Sequence, residues 1–105
     1  MIPRSHRLPA KQIVKLVRSA HRHHSPSLVL FWRTSTYPQT RIAIMVSRKV
    51  NTRATVRNLM RRRVAQICMT NTQKIGSRDV IISVKKQATQ EIYEKEILQW
   101  LGASR

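Results

Sequence analysis

The stretch Ser47–Val64, SRKVNTRATVRNLMRRRV, decides how this chain is read, because it carries charge and helical spacing at once. It holds seven of the 21 Lys and Arg residues and no acid. From about Arg53 to Met69 the spacing predicts a helix. At about 100° per residue, Val56, Met60, Val64 and Ile67 form one apolar stripe for a core. Arg57, Asn58, Arg61 and Arg62 fall on the opposite and flanking side, with the small Ala54 and Ala65 between them. The small residues let a phosphate backbone approach, and the arginines can grip it bidentately. A face meant only for solvation normally mixes signs, yet no acid stands three or four residues from these cations. Counterion release makes such a surface a polyanion binder, and nucleic acid is the natural ligand.

Working outward, composition narrows the class. The 105 residues suffice for one domain, spanning 1–105, with a single modest core. Net charge is +17, and hydrophobic content of 41% separates the chain from a disordered basic tail. All four acids (Asp79, Glu91, Glu94, Glu96) lie in the last third, so residues 1–78 are cationic without relief. Self-repulsion on that scale predicts full stability only with the polyanion bound. The lone Cys68 permits no internal disulfide and fits a reducing, cytoplasmic setting. No apolar run approaches the ~18 residues of a membrane span, and the Arg-rich N-terminus reads as part of the domain.

In chain order, MIPRSHRLPA predicts an extended arm. Ala10–Ala20 predicts a short amphipathic helix with Ile13, Val14, Leu16, Val17 and Ala20 inward and Lys11, Lys15 and Arg18 outward. His21, His23 and His24 read as a solvated helix end before the Ser25-Pro26 turn, with no thiolate or acid nearby to build a metal site. Leu28–Arg33 is a strand that sends Leu28, Leu30 and Trp32 one way and Val29, Phe31 and Arg33 the other. The second set suits a face that meets RNA, with Phe31 available to stack on a base; Phe31 and Trp32 both in the core is the equal alternative. Arg41–Ser47 reads as a strand buried on both faces in mid-sheet, and Asp79–Val84 as another. Asn71–Arg78 is a polar loop. Thr89 caps a last helix from Gln90 to about Leu101, whose core side is Ile92, Tyr93, Ile97, Trp100 and Leu101.

At the basic helix the chain resembles a known family, the protein subunit of bacterial ribonuclease P. The family signature is a strand ending Val-Ser-Lys-Lys, a turn, then Ala-x-x-Arg-Asn-Arg-x-Lys-Arg opening a helix. Here stand Val46-Ser47-Arg48-Lys49, then Ala54-Thr55-Val56-Arg57-Asn58-Leu59-Met60-Arg61-Arg62. Arg7-Leu8, the strand LVLF, Asp79-Val80-Ile81-Ile82 leading to Lys85-Lys86, and the terminal helix follow in the family's order, so the likeness covers nearly the whole chain. Leu59 departs from the signature arginine. Arg63, one turn on and only about 40° around the axis, is expected to take over its phosphate contact while Leu59 helps the core. The first helix departs too, with Ile13 or Val14 where the family tends to have phenylalanine.

The resemblance implies an α/β (α+β) two-layer sandwich of the ribosomal protein S5 domain 2 kind. It has a small mixed sheet, an amphipathic N-terminal helix, the basic helix in a left-handed βαβ crossover against the usual right-handed rule, and a C-terminal helix. It implies an RNA-binding surface at Arg48, Lys49, Arg53, Arg57, Asn58, Arg61, Arg62 and Arg63. Leader contacts are expected from Lys11, Val14, Lys15, Phe31 and Arg33, beside a cleft between the first helix and the sheet. The expected partners are ribonuclease P RNA and the 5′ leader of precursor tRNA, with no membrane and no protein partner required. Cleavage would be an RNA-catalysed hydrolysis using Mg²⁺ held with the RNA, and the protein itself would bind no cofactor or metal.

The residues agree with that division of labour. Four acids confined to one end make a poor metal-hydrolysis site, and a metal-free route through HRHH would need a fixed acid–base pair on a loop. Two glycines provide no phosphate loop. The rival readings are a basic ribosomal or RNA-chaperone protein, which would leave the motif spacing a coincidence, and a DNA-binding helix module, which the buried-strand patterns disfavour.

Overall fold

The computed structural model describes residues 2–103. In chain order they form α1 (Ala10–Ser19), β1 (His21–His24), β2 (Leu28–Thr34), β3 (Arg41–Val46), α2 (Ala54–Thr70), α3 (Thr72–Ile75), β4 (Arg78–Val84) and α4 (Gln90–Ala103). The strands make one mixed sheet in the order β1-β2-β4-β3. β4 lies inside it, antiparallel to β2 and parallel to β3. Its sequence accounts for the position: Asp79, Val80, Ile81, Ile82 and Val84 are all buried, so both of its faces are covered. Because β3 and β4 are parallel neighbours, the chain between them crosses a sheet face, and α2 and α3 make that crossing.

Alternation divides the strand side chains between two cores. Leu28, Leu30, Ile42, Val46, Val80, Ile82 and Val84 pack with Met60, Val64 and Ile67 of α2 and Tyr93, Ile97 and Trp100 of α4. Burying an aliphatic side chain of this kind contributes about 1.5–3 kcal/mol, so this layer dominates stability. The alternate residues Phe31, Ala43 and Ile81 meet Leu8, Ile13, Leu16 and Val17 on the other face. The expected α+β sandwich with its mixed sheet is therefore present, and α1 adds a partial third layer to it.

Four local expectations need correction. His21–His24 is not a helix end but strand β1, paired in register with Trp32 through Val29. Its polar sequence lacks a strand pattern of its own, and pairing with β2 across the Ser25-Pro26 turn supplies the order. β3 is an edge strand rather than a central one. Its inward residues Ile42 and Val46 are buried, whereas Met45 is 44% exposed. In α4, Ile92 is 46% exposed and Glu96 turns inward, so the buried series is Tyr93, Glu96, Ile97 and Trp100. The loop expected at 71–78 contains the short helix α3.

The N-terminal arm is sewn to the outer edge of β3. Arg4–His6 form one 3-10 turn, Arg7 bridges Ile42 in parallel, and the Leu8 N–H donates to the Ile42 carbonyl at 3.1 Å. At the other end, the Ile92 N–H donates to Thr89 Oγ1 at 3.3 Å, the cap expected for α4.

Candidate nucleic-acid interface

The basic stretch enters α2 through a turn closed by the Val50 N–H on the Ser47 carbonyl at 3.1 Å, which leaves Arg48 and Lys49 exposed. Asn51 Oδ1 accepts from the Arg53 N–H at 2.9 Å, an Asx turn that starts the helix. Arg57 then folds back, its Nη1 donating to the carbonyls of Asn51 at 3.0 Å and Thr52 at 2.8 Å. One turn on, Arg61 Nη1 donates to Asn58 Oδ1 at 2.6 Å, so Asn58 sets the direction of that guanidinium. Met60, Val64 and Ile67 are buried and Val56 half-buried beneath this surface, as the stripe predicts.

The structure gathers Asn58, Arg61 and Arg62 around a groove of about 770 Å³ between α2, the β3 edge and the arm. Arg7 lines the same groove. Helical spacing assigns Arg7 no site role, because only the arm's pairing with β3 brings it within reach of α2. Arg63 does not join them. Its Nη1 donates to the Ala88 carbonyl at 2.8 Å, on the loop before α4. Leu59 remains 37% exposed and adds nothing to the core, contrary to the role expected for it.

A second surface lies where α1 crosses the sheet. The register aligns rows of residues across the strands on this face. Phe31, Ile81 and Ala43 lie under α1, and Arg33, Asp79 and Arg41 form the next row. Asp79 is buried, yet its carboxylate accepts from Arg41 Nε at 2.8 Å and Nη2 at 2.9 Å, and from Arg33 Nη2 at 3.2 Å. The same guanidinium groups donate to Gln12 Oε1 at 3.2 and 3.0 Å, which ties α1 to the sheet. The Asp79 hydrogen bonds hold the Arg41 proton above the ordinary guanidinium range, against the opposing effect of burial. Arg33 is thereby a clamp as well as a surface cation. Phe31 is half-buried against α1, with the Arg22 guanidinium 5.4 Å from its ring centre, so it belongs partly to each of the two environments expected for it.

Past α1 the next row is open: His24, Val29, Ser83 and Met45 align across all four strands, and none of them is buried. Lys11 and Lys15 stand on the free side of α1, and so does Val14, which is 61% exposed rather than turned inward with Ile13, Leu16 and Val17 as expected. None of the four residues in this row stands out in the sequence, since the row exists only through pairing.

The two buried acids serve the fold. Asp79 is consumed as described. Burial would push the Glu96 carboxyl up, but hydrogen bonds from the Ser25 hydroxyl and the Ser27 amide outweigh it and hold it below the ordinary range. Burial pushes the Cys68 thiol up to about 12. Among the described residues no helix is long and apolar enough to cross a membrane.

Several known proteins are similar to this chain. A family model described as Ribonuclease P matches residues 2–103. A Ribonuclease P protein component from Picosynechococcus sp. is 32% identical over 95 residues, covering 89% of this chain and 82% of that protein. Among solved structures, the RNase P protein of Thermotoga maritima superposes with a TM-score of 0.81 at 21% identity, covering 92% of this chain and 96% of that one. The RNase P protein of Staphylococcus aureus gives 0.84 at 16% identity, covering 95% of each chain.

Proposed function

This chain belongs to the ribonuclease P protein family, and on that premise we propose that it binds the catalytic RNA and the 5′ leader of precursor tRNA. In this reading it assists Mg²⁺-dependent, RNA-catalysed removal of the leader, in the cytoplasm. The observation that carries the proposal is the cationic side of α2. Arg48, Lys49, Arg53, Arg57, Arg61 and Arg62 follow one another from the β3 end along that helix with no acid among them. Such a surface neutralises phosphates and releases counterions, which suits a large folded RNA. The leader would lie along the open row His24, Val29, Ser83 and Met45, with Lys11, Val14 and Lys15 beside it.

The chemistry is assigned to the RNA because the protein's buried carboxylates are committed. Asp79 holds two arginines and Glu96 holds the β1–β2 turn, so neither is free to carry a metal. Mg²⁺ would sit on the RNA, and the protein's part is to lower the repulsion between two polyanions.

The test is reconstitution with a ribonuclease P RNA at low Mg²⁺, using precursor tRNA with and without its 5′ leader. Stimulated cleavage that is larger with the leader is expected. No stimulation, with RNA binding retained, would instead indicate a structural or chaperone role.

A further inference from the structure

We propose that the groove between the N-terminal arm, the outer edge of β3 and α2 seats one unstacked nucleobase of the partner RNA. This deepens the proposed function and rests on it: the ligand is a nucleotide of the RNA already assigned to this face.

The groove has two chemistries in one place. Its floor is apolar, made by Ile2, Ile44 and Ala65, while Arg7, Arg61 and Arg62 line it as cations. A nucleotide matches both, with a flat base to bury and a phosphate to neutralise. The volume of about 770 Å³ lies within the roughly 300–1,000 Å³ usual for sites that enclose small ligands. Ordinary surface phosphate binding needs no apolar floor, so the floor is what points beyond charge. Among the described residues no aromatic ring lines the groove, and an arginine plane would take that stacking role.

Polar groups are placed to read a base edge. Asn58 uses its Oδ1 to accept from Arg61, leaving its amide donors for a base carbonyl or ring nitrogen. On the strand side, the Ile42 carbonyl points outward and is taken by the Leu8 N–H. Residues two apart on a strand turn their backbone groups to the same side, so Ile44 presents a donor and an acceptor at the same edge. That short edge also argues against an acidic peptide as the occupant. Strand addition needs a run of free backbone groups, and Arg7–Leu8 already covers the neighbouring position.

Two measurements test the assignment. In the wild-type protein, methyl resonances of Ile2, Ile44 and Ala65 are followed while adenosine, guanosine, cytidine or uridine monophosphate is added. Ribose 5-phosphate serves as the control. Larger shifts with the nucleotides than with the sugar phosphate are expected; equal shifts, or none, overturn the base pocket. In the second, Ala65→Leu fills the groove without removing a charge. Its affinity for ribonuclease P RNA should fall about tenfold, the worth of one lost base contact, with an unchanged slope of log affinity on log salt. A folded Ala65→Leu protein with wild-type affinity would overturn the proposal, as would full competition for the groove by an acidic peptide. Failure of the wild type to stimulate cleavage would strike the ribonuclease P reading instead, while the nucleotide titration tests the groove independently of it.

Discussion

Arg62 and Arg63 are adjacent in the chain and do opposite things. Arg62 lines the α2 groove, whereas Arg63 reaches away to the Ala88 carbonyl at 2.8 Å. Arg62→Ala should therefore weaken RNA binding and reduce the salt slope by about 0.7–0.9, the share of one phosphate contact. Arg63→Ala should leave the slope unchanged and instead lower stability by about 1–2 kcal/mol, from one half-buried charged hydrogen bond. Filter binding across a salt series and thermal unfolding would separate the two. A fall in the slope with Arg63→Ala would restore that arginine to the RNA surface. Helical phase makes Arg63 look like a substitute for the signature arginine absent at Leu59. Phase fixes where a Cα lies, but an arginine's long stem lets its head follow the best acceptor, and that acceptor comes from a loop 25 residues away.

At the scale of elements, α2 is the most legible in sequence and β1 the least. The expected helix from about Arg53 to Met69 corresponds to Ala54–Thr70, because its apolar stripe, lead-in turn and cations all agree. His21–His24 has no such agreement, and its strand exists only because β2 offers a free edge. The same reason hides the open row across the sheet and the edge position of β3, whose apolar run is indistinguishable from that of a central strand. Ile92 and Glu96 show the limit of reading polarity as exposure. Glu96 turns inward because the Ser25-Pro26-Ser27 turn presents donors to it.

Two predictions belong to these junctions. Asp79→Asn removes the charge that holds Arg33 and Arg41 and, through Gln12, the seat of α1. Leaving two arginines facing a neutral amide in a buried setting should cost about 3 kcal/mol, read in the unfolding midpoint. The loss should also loosen α1, seen as faster amide exchange there. Glu96 makes the acid limb of stability specific. Its folded value is depressed below the ordinary 4.5, so its contribution is complete above that value and drains as pH falls through the lower folded one. Glu96→Gln should be less stable at neutral pH yet flatter between pH 4.5 and the acid transition. An unchanged acid limb in that variant would exclude Glu96 as the group responsible.

Across the whole molecule, a net charge of +17 is carried on 105 residues, and two of the four acids are buried within the fold. What remains outside is almost uniformly positive, so the isolated protein stores electrostatic repulsion that a bound polyanion would relieve. Added sulfate or phosphate should raise the unfolding midpoint more than chloride at equal ionic strength. Equal effects would reduce the anion's role to general screening.

The single cysteine gives that last property a clock. Cys68 lies at the centre of the layer between the sheet and α2, fully shielded, and burial suppresses its thiolate up to about pH 12. A thiol reagent can reach it only when that layer comes apart, and there is no second sulfhydryl in the chain to confuse the count. The labelling rate of native protein thus measures how often the core opens, without any probe being introduced. Bound RNA should lengthen the interval between openings in proportion to its occupancy, so one chemical reaction on one atom would report both folding and assembly.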